Sequence, residues 1–452
     1  MNTSFFGELL NSITEQGRAL LDVRIGRKDD LPLLDLCEAL LSGRGEASGV
    51  AIAEQVLDNY RTLSVEQKQG FFFALLENFG ANLDAVRDAA KSLESEPDEP
   101  SNIRRLHAVT EPRRQELIRR LNLAPGGTRA LVDMRADLLD LLSVHPDLRD
   151  VDRDFEHLFS SWFNRGFLVM KHIDWSTPAS ILEKIIRYEA VHEIDGWDDL
   201  RRRIGLEDRR LYAFFHPALV DDPLIFVEVA LTRDIPAAIA PILAEERAEI
   251  TASEATTAVF YSISNCQRGL RGISFGNFLI KQVVEELRRE LPGLRTYVTL
   301  SPVPGFTKWF KTELALDDSV IDRLLSQDAV ETIRDGSWRG DDEAEKQLQP
   351  LLTSLCAHYL TREKDRKGRT LDPVARFHIG NGARLERVNW LGDQSPNGMA
   401  QSYGLMVNYL YDLRYIEKNH ETHAASGAVA ASSSVTKQAR VVPDRKQVQS
   451  AS

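Results

Sequence analysis

The chain has 452 residues, 27% charged and 43% hydrophobic, and its 56 basic and 68 acidic side chains leave a net charge of −12. These proportions are those of a globular protein, and they exclude a wholly disordered or fibrous chain; the length suffices for two or three domains. A pI near 5.5 argues against a nucleic-acid binder, although one local basic cluster would suffice to bind a phosphorylated small molecule.

The first 160 residues are predicted to form an all-α domain. Apolar side chains recur with helical spacing from about residue 5, and glycine-rich or polar breaks at 43–45, 95–102 and 125–127 separate the helices. Three apolar stripes carry the pattern: Leu9, Leu10, Ile13, Leu20 and Leu21; Phe71, Phe72, Phe73, Leu75, Leu76 and Phe79; and Leu131, Met134, Leu138, Leu139, Leu141 and Leu142. Because nothing here has the pattern of a catalytic site, we expect a scaffold that assembles a homo-oligomer, a dimer or a tetramer.

Strand patterns begin after Trp162 and define a second domain, predicted to span 161–423. Its short runs of β-branched and aromatic residues, bounded by turn residues, are typical of strands. The predicted elements are, in order, a hairpin over 212–232, a strand at 257–264, a glycine-rich segment at 265–277, a helix that follows it, a strand at 296–301 and a helix that begins near 304.

The C-terminal third is less regular. Residues 312–366 have the pattern of charged helices and are predicted to be an insertion outside the core, and strand patterns return at 376–391 and 403–413. From Ala424 the chain lacks apolar mass, so a disordered tail is predicted for 424–452. The sequence as a whole predicts an α+β protein, with an N-terminal all-α domain followed by a mixed-sheet domain.

Cysteine usage and hydropathy exclude further classes of protein. Cys37, Cys266 and Cys356 are too few for a disulfide framework and too far apart for a zinc site, so we expect reduced thiols and no metal. No stretch approaches the ~20 apolar residues of a membrane span. Residues 1–23 have the pattern of an amphipathic helix and not of a targeting peptide, so we expect a cytoplasmic protein without membrane contact.

The glycine-rich segment has the features of a phosphate-binding loop. Unpaired backbone N–H groups before a helix favour a pyrophosphate, and Gly269, Gly272 and Gly276 allow the backbone to approach it. Arg268 and Arg271 add local positive charge. The loop matches neither GxxxxGK[ST] nor GxGxxG, and by itself it is also consistent with a plain turn. Placed between two strands, it resembles the coenzyme A loop of the GNAT acyltransferases.

Longer motifs resemble those of the malonyl-CoA decarboxylase family. The strongest are HPALVDDPLIFVEVALT, YSISNCQRGLRGISFGNFLIKQVVEELRREL and LSPVPGFTKW, and the resemblance continues in FHIGNGARLERVNWLGD and SYGLMVNYLYDL. Together the motifs span most of residues 129–413. The resemblance implies a helical domain followed by a GNAT-like domain, cleavage of malonyl-CoA to acetyl-CoA and CO2, and no metal or redox cofactor.

The resemblance also implies roles for individual residues. The serine of the LSPxPGF motif falls on Ser301, the histidine of the FHxxNGA motif on His378, and a tyrosine near the family's active site on Tyr411. Where the family often has a glutamate this chain has Ser274, so the role of that carboxylate does not carry over. The residues predicted to bind coenzyme A or substrate are Arg268, Gly269, Arg271, Gly272, Ile273, Ser274, Phe275, Gly276, Asn277, Ser301 and His378.

The chemistry of decarboxylation suits these residue types. Loss of CO2 from a malonyl thioester leaves an enolate, which must be stabilised and then protonated at C2. A histidine near its ordinary pKa can donate the proton, so His378 is predicted to be the donor and Ser301 to orient the malonyl group. The residues alone also allow structural roles: a histidine in an extended segment, a serine at a strand end where Pro302 and Pro304 stop sheet pairing, and a tyrosine, Tyr411, in core packing.

Two other functions are compatible with the sequence. A GNAT acyltransferase would share the coenzyme A loop but would need an amine acceptor and a base to deprotonate it. A coenzyme A-binding regulatory protein would share the loop without catalysis.

Overall fold

The computed structural model describes residues 32–42, 45–273, 275, 279–316 and 319–442. The chain forms two compact units, each assembled from separate stretches of sequence. The helical unit comprises Met1–Met170, Phe214–Ile225 and Asn265–Gly276, and the sheet unit comprises Lys171–Ala213, Phe226–Ser264 and Asn277–Ser452. The helical unit thus extends ten residues beyond the predicted boundary at residue 160 and also includes most of the glycine-rich segment.

The described part of the chain between residues 33 and 162 is helical, as its periodicity predicts. Its α-helices are α1 Leu33–Leu41, α2 Glu46–Arg61, α3 Val65–Asn78, α4 Leu83–Ser95, α5 Pro100–Thr110, α6 Arg113–Leu121, α7 Gly127–Leu141 and α8 Arg149–Trp162. Local signals set their starts: Ser64 opens a capping box before α3, and the Asn82 side chain accepts two backbone N–H groups before α4. Phe71 of the second predicted stripe is buried, whereas the stripe from Leu9 to Leu21 lies outside the described residues.

In the described part of the chain, eight strands form one mixed sheet. They are β1 Val169–His172, β2 Arg209–Phe215, β3 Pro223–Thr232, β4 Thr257–Asn265, β5 Thr296–Thr299, β6 Ser301–Pro302, β7 Arg384–Asn389 and β8 Met406–Leu410. They pair in the order β1-β2-β3-β4-β5-β8-β6, and β7 also pairs with β8. β4 and β5 are parallel, whereas β8 is antiparallel to β5, β6 and β7. The predicted hairpin and the two strands that flank the glycine-rich segment are therefore confirmed.

Sheet pairing continues through Ser301, although the prolines around it are predicted to stop it. Val298 pairs with Leu410 and Ser301 with Val407, so β5 and β6 follow β8 in one register. Pairing ends with Pro302, the second residue of β6, so the prolines do end the strand, one residue later than predicted. Ser301 is consequently held on a strand.

The α-helices of the sheet unit include one that corrects a prediction. They are α9 Ala179–Tyr188, α10 Gly196–Ile204, α11 Ala240–Leu243, α12 Leu279–Glu290, α13 Phe306–Leu314, α14 Gln327–Asp335, α15 Asp342–Arg362, α16 Pro373–Gly380, α17 Pro396–Ser402, α18 Ile416–Ser426 and α19 Ser433–Val441. Every residue from Leu352 to Leu360 of α15 is buried, so this helix is part of the core and not a peripheral insertion. The acidic first turn of α15, which begins at Asp342, explains why the segment has a charged pattern.

The predicted disordered tail is wrong for residues 424–442. Helix α19 packs against α15, and its Val435 is fully buried. The Leu385 N–H of β7 donates to the Ala430 carbonyl at 2.8 Å, and the Ser432 N–H donates to the Leu385 carbonyl at 2.9 Å. A few apolar side chains and backbone hydrogen bonds to β7 therefore dock a segment whose composition is mostly small and polar. Residues 443–452 lie outside the described residues.

Candidate active site

In the helical unit, the glycine-rich segment forms a turn that packs against helix α7. Arg268–Leu270 make one turn of 3-10 helix. Ile273 and Phe275, both predicted to bind coenzyme A, have buried side chains, so their backbone is the part that can meet a ligand. Three further predicted binding residues lie outside the described residues: Ser274, Gly276 and Asn277.

Two glycines of this loop are required for different reasons. Gly269 lies so close to helix α7 that a Cβ would be 1.8 Å from the Val132 carbonyl oxygen. Gly272 has φ of +85°, in the left-handed region that favours glycine, and a Cβ there would lie 3.4 Å from a Glu156 carboxylate oxygen. Gly269 thus lets the loop approach its own scaffold, whereas Gly272 makes the turn.

The two arginines of the loop differ in their contacts. Arg268 forms a 2.6 Å ion pair with Asp140, in which both side chains are mostly exposed, so the pair contributes little stability. Arg271 is exposed, and its guanidinium has no hydrogen bond or ion pair with any described residue. Arg271 is therefore the more available cation for an anionic ligand.

In the sheet unit, the LSPxPGF motif places Ser301 in a buried position, 6% exposed. The turn that follows is fixed by its neighbours: the Gly305 N–H donates to the Asp372 carboxylate at 3.2 Å. A Cβ on Gly305 would lie 2.2 Å from the Tyr359 hydroxyl of α15. The motif's glycine is thus required by the packing of the buried helix α15.

His378 lies in the last turn of helix α16, and the prediction of an extended segment is wrong. Asp372 caps this helix by accepting the N–H groups of Val374 and Ala375, and Pro373 occupies its first position. The strand-like pattern that begins at residue 376 is a strand only from Arg384 onward.

Burial lowers the pKa of His378 to about 3, because the surrounding protein disfavours the charged imidazolium. The ring stacks on Tyr409 with centroids 4.6 Å apart, and Tyr411 meets it edge-on. The expectation of a histidine near its ordinary pKa is therefore wrong. His378 is neutral near pH 7 and does not act as a preformed imidazolium donor.

A chain of hydrogen bonds unites the three predicted catalytic residues. The Tyr411 hydroxyl lies 2.8 Å from His378 Nδ1, and Ser301 Oγ lies 3.2 Å from His378 Nε2. The Ser301 hydroxyl donates to Thr299 Oγ1 at 2.8 Å. At the other end, the side-chain amide of Asn381 lies near the Tyr411 hydroxyl and lowers its pKa. Residues from a strand pair and a helix thus form one buried polar site.

The directions of these bonds assign the hydrogen of the imidazole. Because the Ser301 hydroxyl donates to Thr299, its oxygen accepts from His378, which places the hydrogen on Nε2. Nδ1 is then an acceptor and receives the Tyr411 hydroxyl. The chain runs from Tyr411 through His378 to Ser301 with every member uncharged, and with Nε2 as a donor it offers Ser301 no base that would make it a nucleophile.

Sequence reasoning missed Thr299 and Asn381. Thr299 stands two residues before Ser301, and side chains two apart on a strand share a face, so the period of two could have found it. Its Oγ1 also accepts the Tyr409 N–H at 3.2 Å. Asn381 follows His378 by three residues in the same motif, but the sequence shows it only as part of a turn.

The described residues also contain a cavity that does not belong to this site. A cavity of about 440 Å³ in the sheet unit, lined in part by Trp338, Leu391 and Met399, includes none of the predicted site residues. Across the described ranges, no three His, Cys, Asp or Glu residues are grouped so that they could hold a metal ion. No helix in the described part of the chain is both long and apolar enough to cross a bilayer.

The fold and the site define an α+β protein in which a helical unit accompanies a mixed-sheet unit that carries a buried Ser–His–Tyr chain. Comparison with protein families identifies it further. The family model described as "Malonyl-CoA decarboxylase C-terminal domain" matches residues 166–450, and the model of the N-terminal domain of that family matches residues 79–163. The chain belongs to the malonyl-CoA decarboxylase family.

Individual relatives agree with this assignment. The mitochondrial malonyl-CoA decarboxylase of Anser anser anser is 35% identical over 456 residues, 94% of this chain and 89% of that protein, and the Rattus norvegicus protein is 37% identical over 378 residues, 77% and 74%. The malonyl-CoA decarboxylase structure from Rhodopseudomonas palustris is 58% identical with a TM-score of 0.86, covering 90% of this chain and 98% of that one. The Agrobacterium vitis structure is 55% identical with a TM-score of 0.84, covering 90% and 99%. The predicted family and α+β fold are confirmed, and the chain is grouped with carboxy-lyases.

Proposed function

We propose that this protein converts malonyl-CoA to acetyl-CoA and CO2. The observation that carries the proposal is the buried, uncharged chain from Tyr411 through His378 to Ser301, found in a member of the family whose motifs predict these three residues. An acyltransferase would need a base strong enough to deprotonate an amine. His378, with a pKa near 3 and Nδ1 already occupied by Tyr411, is too weak a base for that role.

Ser301 is the member of the chain that meets the malonyl group. When the bond between C2 and the carboxylate breaks, its electron pair stays on C2 and spreads onto the thioester oxygen as an enolate. When malonyl-CoA binds, the Ser301 hydroxyl turns from Thr299 Oγ1 to that oxygen, while its own oxygen still accepts from His378 Nε2. A hydroxyl donor placed there is worth roughly 2.7–4 kcal/mol by analogy with oxyanion holes. Because Ser301, His378 and Tyr411 are at most 6% exposed, water competes little with this hydrogen bond.

The proton for C2 travels along the same chain. Ser301 gives its hydroxyl proton to C2, the hydrogen on His378 Nε2 replaces it, and the Tyr411 proton moves to Nδ1. His378 stays neutral, and the negative charge ends on the Tyr411 oxygen. Burial raises the pKa of Tyr411 far above its ordinary value, and the nearby Asn381 amide offsets part of that rise. After product release, water gives a proton to Ser301 and the transfers reverse, so that His378 again carries its hydrogen on Nε2 and Tyr411 regains its hydroxyl proton.

The loop of the helical unit is the proposed site for the coenzyme A phosphates. It offers the exposed guanidinium of Arg271 and the N–H of Gly272, which has no acceptor among the described residues. The N–H groups of Leu270 and Ile273 already donate within the loop, so fewer free amides are present than the sequence predicts. One cation and one outward N–H still form the core of a phosphate site.

Three expectations about the whole protein are part of this proposal. The helical unit assembles a homo-oligomer, a dimer or a tetramer. The protein works in the cytoplasm, with malonyl-CoA as its small-molecule partner and no nucleic acid, which the net charge of −12 supports. The reaction needs no metal or redox cofactor, because the enolate is stabilised by hydrogen bonds alone.

Incubation with malonyl-CoA alone, in deuterium oxide, tests the proposal. We expect CO2 and acetyl-CoA with one deuterium at C2, and a kcat that Ser301→Ala lowers by about 10²–10³-fold. The matched control is Ser354→Ala, at another buried serine that lies on α15, which should keep the activity. Folded protein that makes no acetyl-CoA contradicts the proposal; acyl transfer only when an amine is added would support an acyltransferase, and binding without turnover a regulatory protein.

A further inference from the structure

A buried arginine of the helical unit holds the glycine-rich loop from inside. Arg135 of helix α7 is 1% exposed. Its Nη1 donates to the carbonyl oxygens of Gly269 at 2.8 Å and Arg271 at 2.9 Å. Its Nε donates to Asp152 at 2.8 Å, and its Nη2 donates to Glu156 at 3.2 Å. One cation therefore joins two helices to two peptide groups of the loop.

We propose that Arg135 is a positioning residue for coenzyme A, so that the helical unit takes part in substrate recognition and is more than a scaffold. The inference rests on the proposed function, in which this loop binds the coenzyme A phosphates. It goes beyond that function because Arg135 lies outside the loop and is too deeply buried to contact the ligand itself.

The geometry of the peptide bond gives the first reason. The Arg271 carbonyl and the Gly272 N–H belong to the same peptide group, and no described peptide bond is cis. In a trans peptide these two groups point in opposite directions. When Arg135 binds the carbonyl from inside, it therefore turns the Gly272 N–H outward. The Gly272 N–H has no acceptor among the described residues, so it is free to bind a phosphate oxygen.

Electrostatics gives the second reason. Asp152 is nearly buried, and a Glu156 carboxylate oxygen lies beside Gly272. Two carboxylates so close to the loop would repel a phosphate, and the Arg135 guanidinium offsets both of them through direct ion pairs. A lysine at this position would keep the charge but could not make the same set of divergent hydrogen bonds.

The chain offers a matched control for a purely structural effect. Arg114 is also a buried arginine of the helical unit, 6% exposed, and it pairs with Asp154. Its Nη1 donates to the Leu75 carbonyl at 3.5 Å, and it makes no hydrogen bond or ion pair with a described residue of the loop. Loss of Arg114 should therefore lower stability as the loss of Arg135 does, but without disturbing the loop.

The experiment compares full-length Arg135→Lys, Arg114→Lys and Arg271→Ala by coenzyme A titration, malonyl-CoA kinetics and thermal unfolding. In metal sites, loss of a hydrogen bond that positions a ligand residue lowers affinity by ~10–100-fold. By analogy, we expect Arg135→Lys to raise both the Kd for coenzyme A and the KM for malonyl-CoA by a factor of that size. The kcat should stay close to that of the parent, because the reacting groups are unchanged. Arg114→Lys should lower Tm but leave Kd and KM unchanged.

The outcomes distinguish a positioning role of Arg135 from a purely structural one, and test the assignment of the loop as the coenzyme A site. A lowered Tm with an unchanged Kd in Arg135→Lys overturns the inference, since Arg135 would then act only on stability. If Arg271→Ala weakens binding while Arg135→Lys does not, the inference alone fails. If both variants bind as the parent does, the loop is not the coenzyme A site and the proposed assignment fails with it. Should Arg135→Lys not fold, Asp152→Asn loosens the same guanidinium in a cluster of unchanged shape, and the same Kd criterion applies.

Discussion

The protonation state of His378 can be measured independently of catalysis. At pH 5.5 an ordinary histidine is ~90% protonated, whereas His378, whose pKa burial lowers to about 3, is then ~0.3% protonated. The ring carbon and nitrogen NMR shifts of isotope-labelled histidine report this difference. We expect one signal, absent from His378→Asn, to keep the shifts of a neutral imidazole from about pH 8 to about pH 5.5.

The same spectra test the direction of the hydrogen-bond chain. The assigned tautomer carries its hydrogen on Nε2, so that nitrogen should show a protonated shift and Nδ1 an unprotonated one. Thr299→Val removes the acceptor of the Ser301 hydroxyl and should increase the population of the other tautomer. A titration midpoint between pH 6 and 7 for the His378 signal would refute the neutral chain, and a hydrogen on Nδ1 in the parent protein would reverse its direction.

In steady-state kinetics and coenzyme A titrations, His378→Ala should lower kcat by about 10²–10⁴-fold while changing coenzyme A affinity little. The double variant with Ser301→Ala should lose less activity than the product of the two single losses. Near-normal turnover by His378→Ala would show that His378 takes no part in the mechanism. In the unfolded chain His378 binds a proton below about pH 6.5, whereas in the folded protein it stays neutral down to about pH 3, so the free energy of unfolding falls as the pH drops. At pH 5 this loss is about 2 kcal/mol. Denaturant unfolding should show the loss in the parent protein but not in His378→Asn. Val435→Ala should cost about 2 kcal/mol in denaturant unfolding because the side chain is fully buried, whereas a disordered tail would give no change. Light scattering should find an oligomer for the full chain, and a monomer at micromolar concentration would contradict assembly through the helical unit.

The sequence predicted the elements well where a periodic pattern and a turn signal coincide. The β2–β3 hairpin and the helices of residues 33–162 are examples, because alternation or helical spacing runs through each element and polar or glycine-rich breaks end it. Helix α16 escaped prediction because eight residues are too few for a clear period, and its main signal is the Asp372–Pro373 cap. The ordered structure of residues 424–442 was not predicted, because overall composition does not show that a few valines such as Val435 are buried.

The site was less predictable than the fold. Ser301 and His378 are 77 residues apart, and no local pattern contains a contact of that range, so the family motifs and not the physical spacing identified both residues. The pKa of His378 depends on burial by the folded chain, which is why the expected imidazolium was wrong. Arg135 was missed for a similar reason, because a charged residue on a helix reads as solvent-exposed unless its tertiary partners are known.

The hydrogen-bonded chain from Tyr411 through His378 to Ser301 depends on the register of the sheet. Thr299 and Ser301 share one face of β5–β6, and Tyr409 and Tyr411 stand two apart at the end of β8. A slip of one residue between these strands would turn Ser301 or Tyr411 away from His378. The backbone resists such a slip, because the register continues from the Val298 pair through the Ser301 pair and the Tyr411 N–H donates to the Tyr297 carbonyl at 2.8 Å. The residues that pair beside the reacting side chains, such as Val298 and Val407, therefore hold the proposed catalytic chain in place, which gives a physical reason for the length of the LSPVPGF and SYGLMVNYLYDL motifs.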